Sequence, residues 1–259
     1  MLLETRSVEK VWGRDTLPPP FRAPAGRRIG EIWFEPPQQL AQLLVKYIFT
    51  SDKLSVQVHP SDADAPGAGK EECWLVIDAE PGARLGIGLA AETSAEALRA
   101  AALDGSIEQL LGWREVAAGD FFYIPAGTVH AIGGGVSLVE IQQNSDVTYR
   151  LYDYGRPRDL HLDQAIAVAR TAPYEETLHR RIGAGDCATL VAGPHFRVDL
   201  VSGEADAGEG PGLVIPLAGE LTIDGEQVGP GQCALAIAPG EIAVTSGARY
   251  LVARPLCRP

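Results

Sequence analysis

Residues 54–59 read Leu-Ser-Val-Gln-Val-His, a strict alternation of apolar and polar side chains. An extended strand sorts such a run into two faces, because successive side chains point to opposite sides. One face carries Leu54, Val56 and Val58 and belongs against a core. The other carries Ser55, Gln57 and His59. Gln57 and His59 then stand about 7 Å apart along the strand, close enough for both to reach one metal ion. A fold that accepts this strand must give a glutamine and a histidine a shared polar environment.

Two further segments supply matching groups. Gly119-Asp120-Phe121-Phe122-Tyr123-Ile124-Pro125-Ala126-Gly127-Thr128-Val129-His130 offers a second histidine from a tight hairpin, and Lys70-Glu71-Glu72-Cys73-Trp74 offers a carboxylate. Gln57, His59, Glu72 and His130 are therefore the candidate ligands of one divalent metal. The glutamine oxygen is neutral and weak, so two imidazoles and one carboxylate do most of the binding. One carboxylate against a doubly charged ion leaves about one positive charge, which suits the stabilisation of negative charge developing on oxygen. The competing account makes His59 and His130 unrelated, hydrogen-bonded core residues. Against it, Gln57 and His59 share a face, and strands and a hairpin converge most readily in a closed barrel. Burying four polar groups there is costly unless something pairs them.

The rest of the chain suits a β protein. Its 259 residues are enough for one large domain or two smaller ones, and 29 glycines and 19 prolines imply many turns and short strands. Residues 5–35 read as loop-rich, apart from a strand at Gly30-Glu31-Ile32-Trp33-Phe34-Glu35, and residues 38–48 are ambiguous between helix and strand. Strands are expected at about 54–59, 72–78, 120–124, 129–132, 136–143 and 147–152. Helices are expected from the Thr93-Ser94-Ala95-Glu96 capping box to Leu103, from Ser106 to Leu111, and over 161–170. From about residue 179 short apolar segments alternate with glycine turns such as Asp224-Gly225, as in a second, smaller β-barrel or sandwich without clustered ligands.

A net charge of −12 argues against a nucleic-acid binder or a basic membrane-surface protein. No apolar run approaches a membrane span, and the N-terminus has no apolar h-region. Cys73, Cys187, Cys233 and Cys257 form no CxxC pair and read as reduced thiols. The expectation is a soluble, cytoplasmic protein.

Gly119-x5-Pro125-x-Gly127-x2-His130 fits the second motif of cupins, and Gln57-x-His59 followed by Glu72 matches the first. Glutamine at 57, within Leu54-Ser55-Val56-Gln57-Val58-His59-Pro60, resembles the zinc-dependent phosphomannose isomerases, type I. Lys70-Glu71-Glu72-Cys73-Trp74 looks like that family's Lys-x-Glu-x-Trp segment. Val147-Thr148-Tyr149-Arg150-Leu151-Tyr152-Asp153-Tyr154-Gly155-Arg156, Val11-Trp12-Gly13 and Gly30-Glu31-Ile32-Trp33 are similar to its short bacterial branch. The likeness spans residues 11 to about 170; the remainder is only loosely similar to the family's second barrel.

The resemblance implies a mainly β fold. A cupin (jelly-roll) barrel over 1–178 would carry a helical insertion at about 93–111, and a ligand-free β domain would occupy 179–259. It also implies one zinc ion per chain and interconversion of mannose 6-phosphate and fructose 6-phosphate through a cis-enediol. Lys70, two residues before Glu72, would share that ligand's face and stabilise oxyanions. The resemblance marks Arg150 as catalytic, orienting the sugar or aiding ring opening. Lys53, Ser55 and Arg156 are candidates for the phosphate by position. Glu140 is either buried near the pocket or paired with an arginine. His161, His179 and His195 read as surface groups, and Cys73 as core packing. Two other functions compete: another metal cupin enzyme, such as an oxygenase, and a non-catalytic sugar-phosphate-binding cupin. Gln57 argues against the first, since an oxygenase usually wants more imidazole; Lys70 and Arg150 beside four ligands argue against the second.

Overall fold

The computed structural model describes residues 1–204, 208–238 and 242–256. Two antiparallel sheets build the N-terminal barrel. The larger runs in the order Thr5–Arg14, Ile29–Phe34, Leu43–Phe49, Val136–Gln143, Glu72–Ala79, Asp120–Ile124, His179–Arg181. The smaller runs Tyr149–Tyr152, Val56–Val58, His130–Ile132, Arg84–Leu89, Leu111–Glu115. Ile48, Trp74, Val76, Phe122, Ile124 and Leu138 from the first meet Leu85, Ile87 and Ile132 from the second in one buried cluster. This is a jelly-roll, with one end of its interior apolar and the other polar.

The alternation at 54–59 is realised with a change of layer. Only Val56–Val58 is laddered. Val56 and Val58 are fully buried, and they point outward, under helices packed on the smaller sheet. Leu54, just outside the ladder, joins the interior cluster instead. The covering helices are Ala95–Asp104, Ile107–Leu110 and Leu162–Val168. Ser94 caps the first by accepting from the Ala97 amide at 3.1 Å, and Gly105 ends it with φ +82°. The second helix is shorter than expected because Leu111 already begins a strand.

In the N-terminal barrel four strands were invisible to periodicity: Thr5–Arg14, Arg84–Leu89, Leu111–Glu115 and His179–Arg181, the last lying past the expected boundary at residue 178. Thr5–Arg14, expected as loop, is a polar and mostly exposed edge strand. It exists because it pairs with Ile29–Phe34, and Gly13 and Gly30 let the two backbones approach: a Cβ on Gly13 would fall 2.6 Å from the Gly30 nitrogen. Arg84–Leu89 and Leu111–Glu115 pair with each other on either side of the helices. The ambiguous 38–48 stretch is a 3-10 turn, Gln38–Leu40, followed by Leu43–Phe49.

Beyond residue 187, Ala188–Ala192, Phe196–Ser202, Arg249–Pro255, Gly212–Ala218 and Ala234–Ala236 form a five-stranded sheet. Glu226–Val228, Leu221–Ile223 and Ile242–Val244 form a three-stranded one. Asp224 and Gly225, at φ +52° and +77°, make the type I′ turn that joins two of these strands. Both halves share one core, in which Tyr47, Phe49, Leu75 and Phe121 touch the cluster containing Phe196, Ile215 and Leu251. The N-terminus is laced into the second half: Leu3 N donates to Cys233 O and Leu235 N to Met1 O, each at 2.9 Å. Cys73 and Cys233 are buried free thiols and Cys187 is exposed; Cys257 lies outside the described residues. No helix is long and apolar enough to cross a membrane among the described residues.

Candidate metal centre

Gln57 pairs directly with His130 across the smaller sheet, which brings the first motif to the second. The hairpin before His130 is locked to the same strand by Gly127, whose amide donates to His59 O at 2.8 Å. Gly127 has φ +83°, and a Cβ there would fall 2.8 Å from Val168 O, so only glycine fits. Glu72 enters from the facing sheet, at the start of Glu72–Ala79.

These elements place His59 Nε2 3.5 Å from Glu72 Oε2 and His130 Nε2 3.5 Å from Glu72 Oε1. One ligand atom from each of the three residues lies within 4.8 Å of the others. Both imidazoles are held by their far nitrogens, His59 Nδ1 donating to Val147 O at 2.8 Å and His130 Nδ1 to Thr128 O at 2.9 Å. That fixes the tautomer and turns both Nε2 lone pairs inward. Burial holds both imidazoles below the usual histidine range, His59 well below it with Lys70 adding to the effect. They are therefore neutral donors. Burial alone would raise the Glu72 carboxyl, but the Lys70 ammonium outweighs it and holds it below its ordinary value.

Neither Glu72 oxygen accepts a well-directed hydrogen bond, although the Lys70 ammonium is 2.6 Å from Oε2 as an ion pair. A buried carboxylate with two underused oxygens, beside two inward imidazole lone pairs, fits a divalent cation. Gln57 Nε2 is 3.3 Å from His130 Nε2, and Ser55 Oγ donates to Gln57 Oε1 at 3.0 Å. Turning that amide over would present its oxygen to the cluster and its NH2 to Ser55 Oγ, which can accept.

Lys70 sits just outside the strand, yet its Nζ reaches 3.0 Å from His59 Nε2 and 4.0 Å from Glu140 Oε1. Burial pulls its pKa down, but Glu140 and Glu72 more than compensate and keep the ammonium charged. Glu140 pairs with a lysine rather than an arginine. Lys46 Nζ lies 3.1 Å from its Oε1, and Trp74 Nε1 donates to its Oε2 at 3.1 Å. Lys46 also donates to Gln142 Oε1 at 2.6 Å and stands 4.4 Å over the Trp33 ring.

A cavity of about 270 Å³ opens beside these groups, lined by Ser55, Gln57, Lys70, Lys46, Glu140 and Arg150 among others; of the four candidate ligands Gln57 alone lines it. Arg158 also reaches it, tied to Asp153 at 2.6 Å. Arg150 has no ion pair among the described residues, and its Nε is buried without a partner. Burial and the neighbouring Arg158 both disfavour its charge, which an incoming anion would relieve. Lys53 and Arg156 are placed elsewhere: neither lines the cavity, Lys53 pairs with Glu108 at 2.6 Å, and Arg156 pairs with Asp52 at 2.7 Å. Of the three positions expected to hold phosphate, only Ser55 faces the cavity.

Lys46 and Arg158 were missed from sequence. Lys46 carried a usable signal, being the one charge in Leu43-Leu44-Val45-Lys46-Tyr47-Ile48-Phe49; a lone charge in a buried run needs a partner. The histidines read as surface groups are half-buried. His179 stacks on Phe122 at 4.4 Å, His161 Nδ1 accepts from the Arg150 amide at 3.3 Å, and His195 faces Asp62 at 3.5 Å.

No protein-family model matches the chain. The mannose-6-phosphate isomerase of Streptococcus mutans is 48% identical over 136 residues, 49% of this chain and 43% of that protein. YvyI of Bacillus subtilis, provisionally named a mannose-6-phosphate isomerase, is 34% identical over 215 residues, 73% of this chain and 67% of its own length. The chain thus spans under half of the first of these relatives. The mannose 6-phosphate isomerase of Bacillus subtilis shares the fold with a TM-score of 0.78 at 24% identity, covering 98% of each chain. A zinc-bound mannose 6-phosphate isomerase does so with a TM-score of 0.69 at 14% identity, over 99% of each chain. Similarity of this extent, on a jelly-roll that gathers two histidines and a glutamate, makes this chain a member of the mannose-6-phosphate isomerase family.

Proposed function

We propose that the chain is a metal-dependent aldose–ketose isomerase that interconverts mannose 6-phosphate and fructose 6-phosphate through a cis-enediol. The observation that carries this is the pair of inward Nε2 lone pairs of His59 and His130 beside the underused carboxylate of Glu72. His59, His130 and Glu72, with the Gln57 amide oxygen, would hold one zinc ion, the borderline cation that a mixed nitrogen and oxygen set suits. When bound, zinc supplies Lewis-acid polarisation of the sugar oxygens.

The protein's own side chains do the rest. Lys70 keeps a charged ammonium beside the cluster and stabilises negative charge on the enediol oxygens. Arg150, which among the described residues is the one cavity-lining cation without a carboxylate within ion-pair distance, orients the sugar phosphate together with Arg158 and Ser55. Glu140, gripped at both oxygens by Lys46 and Trp74, fixes where Lys70 can reach. The N-terminal barrel, whose larger sheet runs on through His179–Arg181, forms the catalytic unit in this account, and the strands from Ala188 onward form the supporting one. A small phosphorylated sugar is the partner, nucleic acid and membrane are not, and the cytoplasm, where sugar phosphates and reduced thiols occur, is the compartment.

The test is a coupled assay with mannose 6-phosphate on metal-stripped protein. Turnover should appear with added zinc. A protein that binds one zinc and forms no fructose 6-phosphate would overturn the proposal.

A further inference from the structure

The loop 60–71 joins two of the three clustered residues, leaving His59 and returning to Glu72, and it carries Lys70. From the N-terminal barrel, Ser145, Gln143 and Tyr123 hold this loop, Ser145 Oγ donating to Ala68 O at 2.9 Å. Gln143 Oε1 accepts from the Glu71 amide at 2.8 Å, and its Nε2 donates to Asp62 Oδ2 at 3.1 Å. The Tyr123 hydroxyl donates to Glu71 Oε2 in a short contact. The second barrel completes the enclosure. Its hairpin between Ala188–Ala192 and Phe196–Ser202 inserts His195 between the two carboxylates. Nδ1 lies 3.5 Å from Asp62 Oδ2 and Nε2 lies 4.0 Å from Glu71 Oε1.

Asp62 and Glu71 stand at opposite ends of the loop, so one imidazole spans it. Asp62 itself holds the far strand of the loop, accepting from the Gly69 amide at 3.0 Å. The fit is close on both sides. A Cβ on Gly69 would meet Asp62 N at 2.5 Å, and one on Gly193 would meet the Tyr123 hydroxyl at 2.6 Å. The side chains of His195 and Glu71 are 15% and 11% exposed.

We infer that the second barrel braces the ligand-bearing loop, with His195 as a positioning residue that fixes the spacing of His59, Lys70 and Glu72. This rests on the metal-dependent reading given above. It gives a physical role to a barrel in which no ligand cluster occurs among the described residues. Groups that orient metal ligands from behind typically change affinity or activity 10- to 100-fold when removed.

The experiment compares full-length, zinc-loaded wild type with His195→Ala, His195→Gln and Gly193→Ala, and with Thr245→Ala, beside the three-stranded sheet, as a control elsewhere on the second barrel. Three quantities are read: zinc release into excess chelator, amide exchange over residues 61–71 in metal-free protein, and kcat and KM for mannose 6-phosphate. His195→Ala should release zinc about 10-fold faster and lower kcat by a similar factor, with KM held within about twofold. His195→Gln, which keeps a polar side chain between the two carboxylates, should fall between. Gly193→Ala, which pushes on Tyr123 instead, should also speed release and raise exchange over 61–71, and it stands in if the histidine variants do not fold. Wild-type release and exchange in all three variants would overturn the brace while leaving the isomerase reading intact. So would equal changes in Thr245→Ala, which would mean general loosening. A wild-type chain that holds no zinc would overturn both.

Discussion

Exchanging Glu72 for glutamine keeps the side-chain volume and removes one buried charge. In metal-free protein that charge opposes Lys70, whose Nζ is 2.6 Å from Oε2, with side chains 6% and 1% exposed. Breaking a buried pair on one side costs about 3–5 kcal/mol, because the surviving charge is left uncompensated. Two neighbours favour the lower end: Glu140 Oε1 remains 4.0 Å from the ammonium, and His59 Nε2 can accept from it at 3.0 Å. A cost of about 3 kcal/mol lowers the melting midpoint by about 6–12 °C, at roughly 2–4 °C per kcal/mol for a chain of this size. Lys70→Met should also destabilise. The double variant removes both charges and should recover most of the loss, since replacing a whole buried pair is close to neutral. The pH dependence follows the same pair. The Glu72 carboxyl is held below its ordinary value, so its stabilisation is present above the unfolded carboxyl pKa and is lost as pH falls through the folded one. Glu72→Gln should flatten that acid limb. Calorimetry of the four metal-free proteins decides: a drop of under about 2 °C in Glu72→Gln, or a double variant showing the sum of both losses, refutes the reasoning.

Stripping the metal with a chelator should abolish turnover, and His130→Ala should lose zinc together with activity; metal analysis showing full occupancy in that variant would remove His130 from the ligand set. Arg150→Ala should retain zinc and lose about 100-fold in kcat, as when a substrate-orienting group is lost; steady-state kinetics at wild-type rates would exclude it. Ile215→Ala, fully buried in the core common to both halves, should cost about 2–5 kcal/mol and lower a single melting transition; two separate transitions in calorimetry would contradict a shared core.

The polar face of residues 54–59 was legible because alternation is a local property. Ser55, Gln57 and His59 had to lie together whatever surrounded them. The hairpin ending at His130 was legible for a similar reason, since Gly127 at φ +83° and Pro125 encode the turn in the residues themselves. What the alternation did not reveal is which layer each face meets. Val56 and Val58 are as buried as the pattern demands, but against helices outside the barrel, while the polar face looks inward. Either arrangement gives the same periodicity. Thr5–Arg14 failed differently: as an edge strand it needs a neighbour's hydrogen bonds and no apolar face, so it reads as loop.

Charge partners were the least legible feature, because pairing depends on registers between distant strands. Arg156 and Lys53 looked free to bind phosphate by their proximity to Arg150 and Ser55, yet Asp52 and Glu108 claim them. Lys46 fell in a stretch ambiguous between helix and strand, and its register opposite Glu140 makes it the partner that buried glutamate requires. His195 is the extreme case. Its hairpin carries no motif, and its position matters only because the two halves share a core that presses it against Asp62 and Glu71. A polar residue that looks idle in a ligand-free domain can owe its place to a site whose ligands lie on another barrel, and the sequence holds that information only as complementary surfaces of two folded sheets.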